Sequence, residues 1–171
     1  MFSVDGSRAH TTSTDGSLKT WALPSGECIA TVVPGERAAA AYAQAHPNAP
    51  ARAGLADSAV TACQRVPQRP DTLYVTLRGG AAALVSTVSH SVLQVFTPAL
   101  ARSDKPAPAP EFTHGCVSAK GRFVYALAAD AVVYCFDIDT AVTAAAFKAH
   151  NKVRSGYYVR LVFFKLCLDC V

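Results

Sequence analysis

The stretch that decides the fold is residues 13–27, STDGSLKTWALPSGE. It holds the only tryptophan of the chain, Trp21, six positions after Asp15 and ahead of a second turn signal at Pro24-Ser25-Gly26. Asp-Gly and Pro-Ser-Gly favour tight turns because glycine readily takes a positive φ and because proline fixes the start of a turn. The stretch therefore predicts a strand, a hairpin, a second strand that carries Trp21, and another turn.

The composition fits one folded core. Of 171 residues, 51% are hydrophobic and 16% are charged, and the net charge is +4. The basic residues are scattered, so no nucleic-acid site is predicted.

The six cysteines lie in apolar segments, which predicts reduced thiols. Cys167-x-x-Cys170 is a lone pair, so no metal site is predicted, and no cofactor or small-molecule substrate is expected. The uncharged run between Arg78 and Arg102 is broken by polar residues and predicts two strands, not a membrane span.

Two segments, 34–56 and 98–111, are rich in alanine and proline and predict exposed, mobile linkers. Short runs of β-branched and aromatic residues elsewhere predict strands. The clearest of these runs are Thr72–Leu77, Ala83–Val88, Val92–Phe96, Phe123–Leu127 and Val132–Ile138. Residues 141–146 are alanine-rich and have helical propensity, but their place in the repeat described next predicts a strand.

The chain contains an internal repeat. Its turn and aromatic positions superpose when the sequence is shifted by 115 residues: the pairs are Gly6 with Gly121, Asp15 with Asp130, and Trp21 with Phe136. Each unit has three turns and so forms a four-stranded antiparallel meander. Units of this kind stack face to face as the blades of a β-propeller.

Residues 13–21, STDGSLKTW, resemble the signature of WD40 repeats. In that family a hydroxyl residue, an aspartate, a tryptophan and a histidine form a buried hydrogen-bonded group. The resemblance implies structural roles of this type for Ser13, Asp15, Trp21, Asp130, Phe136 and His150. Ser13 and Asp15 would hold the indole N–H and the turn, and the histidine that belongs with Trp21 would lie before Met1.

The predicted fold class is all-β, an incomplete WD40 β-propeller of about three four-stranded antiparallel blades. The predicted division is a blade without its first strand at 1–33, a linker at 34–56, a degenerate blade at 57–97, a linker at 98–111, a WD40-like blade at 112–148, and the start of a further blade with an aberrant apolar end at 149–171. That end is either an atypical closing strand or translation past an exon end, and we favour the second. Because both edges are open, we expect a marginally stable or aggregation-prone fragment unless another chain completes it.

The run from Gly121 to Phe136, followed by Lys148–Lys152, is similar to the C-terminal blades of the Smu-type splicing regulators. This implies a non-catalytic protein-interaction scaffold in pre-mRNA splicing, with splicing factors as partners, in the nucleus or also the cytoplasm. A WD40 substrate receptor of a ubiquitin ligase is the alternative. A quinoprotein-type propeller enzyme is disfavoured, because the last strand of the later unit lacks a tryptophan. The histidines other than His150 are expected on the surface or in turns, and no catalytic residue is predicted.

Overall fold

The computed structural model describes residues 1–47, 51–52, 54–98 and 109–149. Within these ranges the chain forms three antiparallel sheets and one helix. The first sheet contains β1 (Arg8–Thr12), β2 (Leu18–Ala22) and β3 (Cys28–Val32). The second contains β4 (Val60–Val66), β5 (Arg69–Leu77), β6 (Ala81–Ser86) and β7 (Val92–Phe96). The third contains β8 (Phe112–Val117), β9 (Phe123–Ala128), β10 (Val132–Asp137) and β11 (Thr143–Lys148). Every sheet is a simple meander in chain order.

The first sheet has part of a fourth strand. Phe2 forms an antiparallel bridge with Ala9, and the backbone N–H of His10 donates to the carbonyl oxygen of Met1 at 2.7 Å. The N–H of Ser3 donates to Arg8 in the same ladder. Residues 1–3 therefore occupy the end of the strand position that the sequence predicted to be missing.

The turns confirm the repeat at the level of the backbone. Three pairs of residues separated by 115 positions have positive φ angles: Gly6 (69°) and Gly121 (68°), Gly16 (82°) and Ala131 (67°), and Gly26 (72°) and Ala141 (59°). The sheets also share an irregularity between the third and fourth strands, because the register shifts at Trp21, at Val85 and at Phe136. These three residues occupy one equivalent position in three copies of the same unit.

Strand positions follow the sequence pattern closely. The alanine-rich run after residue 141 is a strand, β11, as its place in the repeat predicted. The turn between β4 and β5 is short, because β5 begins at Arg69. Gln68 adopts a φ of 63°, which closes the hairpin in two residues.

The expectation that 34–56 is a mobile linker is wrong for its first half. Residues Pro34–Ala45 form helix α1, with proline in the first turn, where its missing N–H costs nothing. The helix packs on β6 and β7, and Ala38 is fully buried. A Cβ on Gly35 would collide with the carbonyl oxygens of Leu55 and Ala56. Small side chains, not a wide apolar face, allow this close approach, which is why periodicity did not reveal the helix.

The sheets stack face to face in chain order around two cores. The core between the first and second sheets includes Leu18, Leu77 and Val85, and α1 adds Ala38 to it. The core between the second and third sheets is more aromatic and includes Phe96 and Phe136. This arrangement is an incomplete β-propeller.

Candidate interaction surface

The side chain of Trp21 is held by Thr11 and not by Ser13. The indole Nε1–H donates to Thr11 Oγ1 at 2.9 Å. Thr11 pairs with Lys19 in the β1–β2 ladder, and Lys19 and Trp21 lie on the same face of β2 because side chains alternate along a strand. The predicted hydroxyl partner is therefore wrong by two residues, since Ser13 lies beyond the end of β1.

Ser13 and Asp15 stabilise the turn between β1 and β2. The Asp15 carboxylate accepts the backbone N–H of Ser17 at 2.9 Å, and the N–H of Asp15 donates to Ser13 Oγ at 3.3 Å. The neighbouring Ser17, through its hydroxyl and its backbone N–H, and the hydroxyl of Ser13 lie close enough to the carboxylate to lower the pKa of Asp15. Asp130 makes the equivalent contact in the third sheet, where it accepts the N–H of Val132 at 3.1 Å.

The position of Trp21 has a different neighbour in each sheet. Val85 is buried in the core shared with the first sheet. Phe136 is fully buried against the second sheet, with its ring centroid 5.7 Å from that of Phe96. The strand position that Trp21, Val85 and Phe136 share therefore faces the preceding sheet. Trp21 belongs to the first sheet and is only partly buried. His150 lies outside the described residues, so its predicted role stays a prediction.

His10 was expected on the surface and is buried, with 4% of its area exposed. Its Nδ1 lies 3.1 Å from Thr20 Oγ1 in a hydrogen bond between the facing residues of β1 and β2. Burial, assisted by the positive charges of the N-terminus and nearby arginines, lowers the pKa of His10. The repeat could have indicated this, because a shift of 115 residues places His10 on the buried Tyr125.

A cleft of about 360 Å³ lies between the first and second sheets, at the end where their first turns are found. Arg8 and Arg65 line it, together with Asp5, Asp71 and Val88. Backbone carbonyls fix both arginines. Arg8 Nη1 donates to Thr87 at 3.2 Å, and Arg65 Nη2 donates to the carbonyl oxygen of Phe2.

The rim of this cleft exposes apolar side chains. Val4 is 71% exposed and Val88 is 64% exposed, and both line the cleft. The side chain of Phe2 is 63% exposed, and the backbone carbonyl oxygen of Phe2 accepts the hydrogen bond from Arg65. An apolar rim with charged groups set among it is typical of surfaces that bind other proteins.

The described ranges hold no group of three or more histidine, cysteine or acidic side chains that could bind a metal ion. No described helix has the length and hydropathy needed to cross a membrane.

No protein-family model and no curated protein sequence matches the chain. Many solved structures do match it. One is a chain in the crystal structure of the mitotic checkpoint complex, with 13% sequence identity and a TM-score of 0.59. The match covers 88% of this chain and 36% of that chain, so this chain spans about a third of the length of its structural neighbour. The likeness shows the fold, and the fold is that of an incomplete WD40-like β-propeller.

Proposed function

We propose that the chain is a non-catalytic scaffold that binds other proteins in pre-mRNA splicing in the nucleus. The observation that carries the protein-binding part is the cleft between the first and second sheets, with its exposed apolar rim and its fixed arginines. The splicing role is supported by the sequence resemblance of residues 121–152 to the Smu-type regulators.

The cleft is preorganised for a partner. Its walls belong to two stacked sheets, and the Arg8 and Arg65 side chains are tied to backbone carbonyls before anything binds. Little side-chain entropy is then lost on association, which favours affinity. A volume of about 360 Å³ accommodates one or two side chains of a peptide, with the remainder of the segment lying across the rim.

Charge in the cleft is balanced, so apolar contact should dominate binding. Asp5 accepts hydrogen bonds from Ser3 Oγ at 2.6 Å and from Ser7 Oγ at 2.7 Å, and these bonds hold the pKa of Asp5 far below its usual range. The negative charge of Asp5 offsets the positive charges of Arg8 and Arg65 in the same cleft. The favoured partner is therefore a segment with an exposed apolar side chain, not a highly acidic or basic one.

The experiment is affinity purification of the tagged 171-residue chain from cell extract, followed by mass spectrometry. Val88→Asp places a charge at the rim. Val142→Asp is the matched control, because Val142 lies in the turn before β11 and is 61% exposed against 64% for Val88. We expect splicing factors with the unmodified chain and with Val142→Asp, and their loss with Val88→Asp.

Two outcomes would contradict the proposal separately. Recovery of cullin subunits without splicing factors would replace splicing with the role of a ubiquitin-ligase substrate receptor. Full recovery of the same partners by Val88→Asp would show that binding occurs on another surface.

A further inference from the structure

The first sheet has a face that points away from the second sheet, which we name the outer face. Leu18 of β2 is buried in the core shared with the second sheet, so the alternate residues Lys19 and Trp21 lie on the outer face. Phe2 lies there too, because it bridges to Ala9, and Ala9 is the pairing partner of Trp21. Lys19 and Trp21 are both only partly buried.

The repeat indicates that the outer face is a contact surface. Three of its apolar residues have counterparts 115 positions later: Phe2 and Val117, Trp21 and Phe136, and Leu23 and Ile138. The three counterparts are at most 2% exposed and belong to the core between the second and third sheets. On the outer face, by contrast, Phe2 is 63% exposed and Leu23 is 43% exposed. Large apolar side chains exposed together on one face are typical of a surface that binds a partner.

Lys19 restricts what can cover this face. None of the ion pairs between described residues involves Lys19, although its charge contributes to the low pKa of Asp15. A wholly apolar partner would bury the ammonium group of Lys19 without a compensating contact, which is costly. The partner must therefore offer Lys19 either a carboxylate or the face of an aromatic ring.

A second copy of the chain meets this requirement with a residue already on the outer face. In a two-fold symmetric contact, a residue that touches another residue of the partner copy is touched in return by the equivalent pair. Lys19 and Trp21 are two positions apart on the same face of β2. A symmetry axis that crosses β2 at Thr20, with the two β2 strands antiparallel, brings each lysine to the tryptophan of the other copy.

We propose that a second copy of the chain covers the outer face, in a two-fold symmetric dimer in which Lys19 of each copy lies over the Trp21 ring of the other. Leu23 of each copy lies at one end of this contact and adds apolar area to it. The proposal goes beyond the scaffold function and does not depend on it. The dimer adds to the stability of the fold only when the protein concentration exceeds its dissociation constant, so dilute samples report the single chain.

Sedimentation velocity of the full chain over a range of concentrations tests the dimer. We expect a reversible equilibrium between monomer and dimer. Trp21 is the only tryptophan, so its fluorescence reports the outer face directly, and its emission maximum should move to shorter wavelengths as the dimer fraction rises. A chain that stays monomeric, or that assembles into species larger than the dimer, would overturn the proposal.

Substitutions of Lys19 test the contact with Trp21. We expect Lys19→Glu to weaken dimerisation at least about tenfold, because each dimer loses two contacts between a cation and an aromatic ring. Lys19→Arg should dimerise like the unmodified chain, since a guanidinium group also packs on aromatic faces. Dimerisation of Lys19→Glu at the affinity of the unmodified chain would overturn the contact.

A pair of leucine substitutions tests the location of the surface. Leu23→Asp places a charge on the outer face and should also weaken dimerisation at least about tenfold. Leu93→Asp is the matched control, because Leu93 is 57% exposed on β7, and it should dimerise normally. Circular dichroism establishes that both variants fold, and the fluorescence of the unmodified chain provides a test that needs no variant. Equal dimerisation of Leu23→Asp and Leu93→Asp would show that the copies meet on another surface.

Discussion

The position shared by Trp21 and Phe136 gives the sharpest prediction on stability. Both residues mark the same register shift in equivalent strands, but Phe136 is fully buried between two sheets and Trp21 lies on an outer face. We expect Phe136→Ala to lower the free energy of unfolding by about 3–5 kcal/mol, the usual cost of removing a buried aromatic ring.

Trp21→Ala should cost much less in this chain. It removes the indole hydrogen bond to Thr11, worth about 0.5–1.5 kcal/mol, and the partial burial of the ring. Together these amount to about 1–2 kcal/mol. The two variants should therefore differ by about 1–4 kcal/mol, with Phe136→Ala the more destabilising, even though a tryptophan is larger than a phenylalanine.

The assay is urea denaturation followed by circular dichroism, which remains usable when the only tryptophan is absent. Leu23→Ala is the control, because Leu23 is exposed and follows β2 directly. Equal destabilisation by Trp21→Ala and Phe136→Ala would refute the reasoning, since it would mean that the outer face of the first sheet is as well packed as the core between the second and third.

Two further predictions concern a turn and a buried histidine. Gly121→Ala should destabilise the chain more than Gly6→Ala in the same denaturation assay, by about 1 kcal/mol or more. Both glycines have a positive φ, but only at Gly121 would the new Cβ meet a backbone oxygen, that of Pro67, at 2.6 Å. Because burial lowers the pKa of His10, the unfolded chain binds more protons below about pH 6.5 than the folded chain does, so stability should fall as the pH drops below that value. His10→Gln should flatten this part of a plot of unfolding free energy against pH, and an unchanged slope would contradict the assignment.

The sequence was most informative where structure is decided locally. Turns depend on a few residues, so the spacing of Gly6, Asp15 and Gly26 predicted three turns whose counterparts recur 115 residues later. Strand runs such as Val92–Phe96 were equally clear, because β-branched and aromatic side chains favour extended backbone.

The remaining features depend on tertiary contacts. Helix α1 packs closely on its neighbours because Ala38 and Gly35 are small enough to let the helix backbone approach them. Apolar periodicity, which responds to large side chains, does not reveal such a contact. The choice of Thr11 over Ser13 depends on which residues of β1 face Trp21, and that is settled only when the register is known. His10 is buried because a neighbouring sheet covers it, and its own run, RAHTT, gives no apolar alternation to indicate this.

The central claim is that equivalent units stack in chain order, each with its signature position facing the preceding sheet. A nuclear Overhauser spectrum of the full chain tests it directly. We predict cross-peaks between the ring protons of Phe136 and Phe96, whose centroids are 5.7 Å apart, and none between the Trp21 indole and side chains of the second sheet. Missing Phe136–Phe96 cross-peaks, or cross-peaks from Trp21 to the second sheet, would contradict the stacking order.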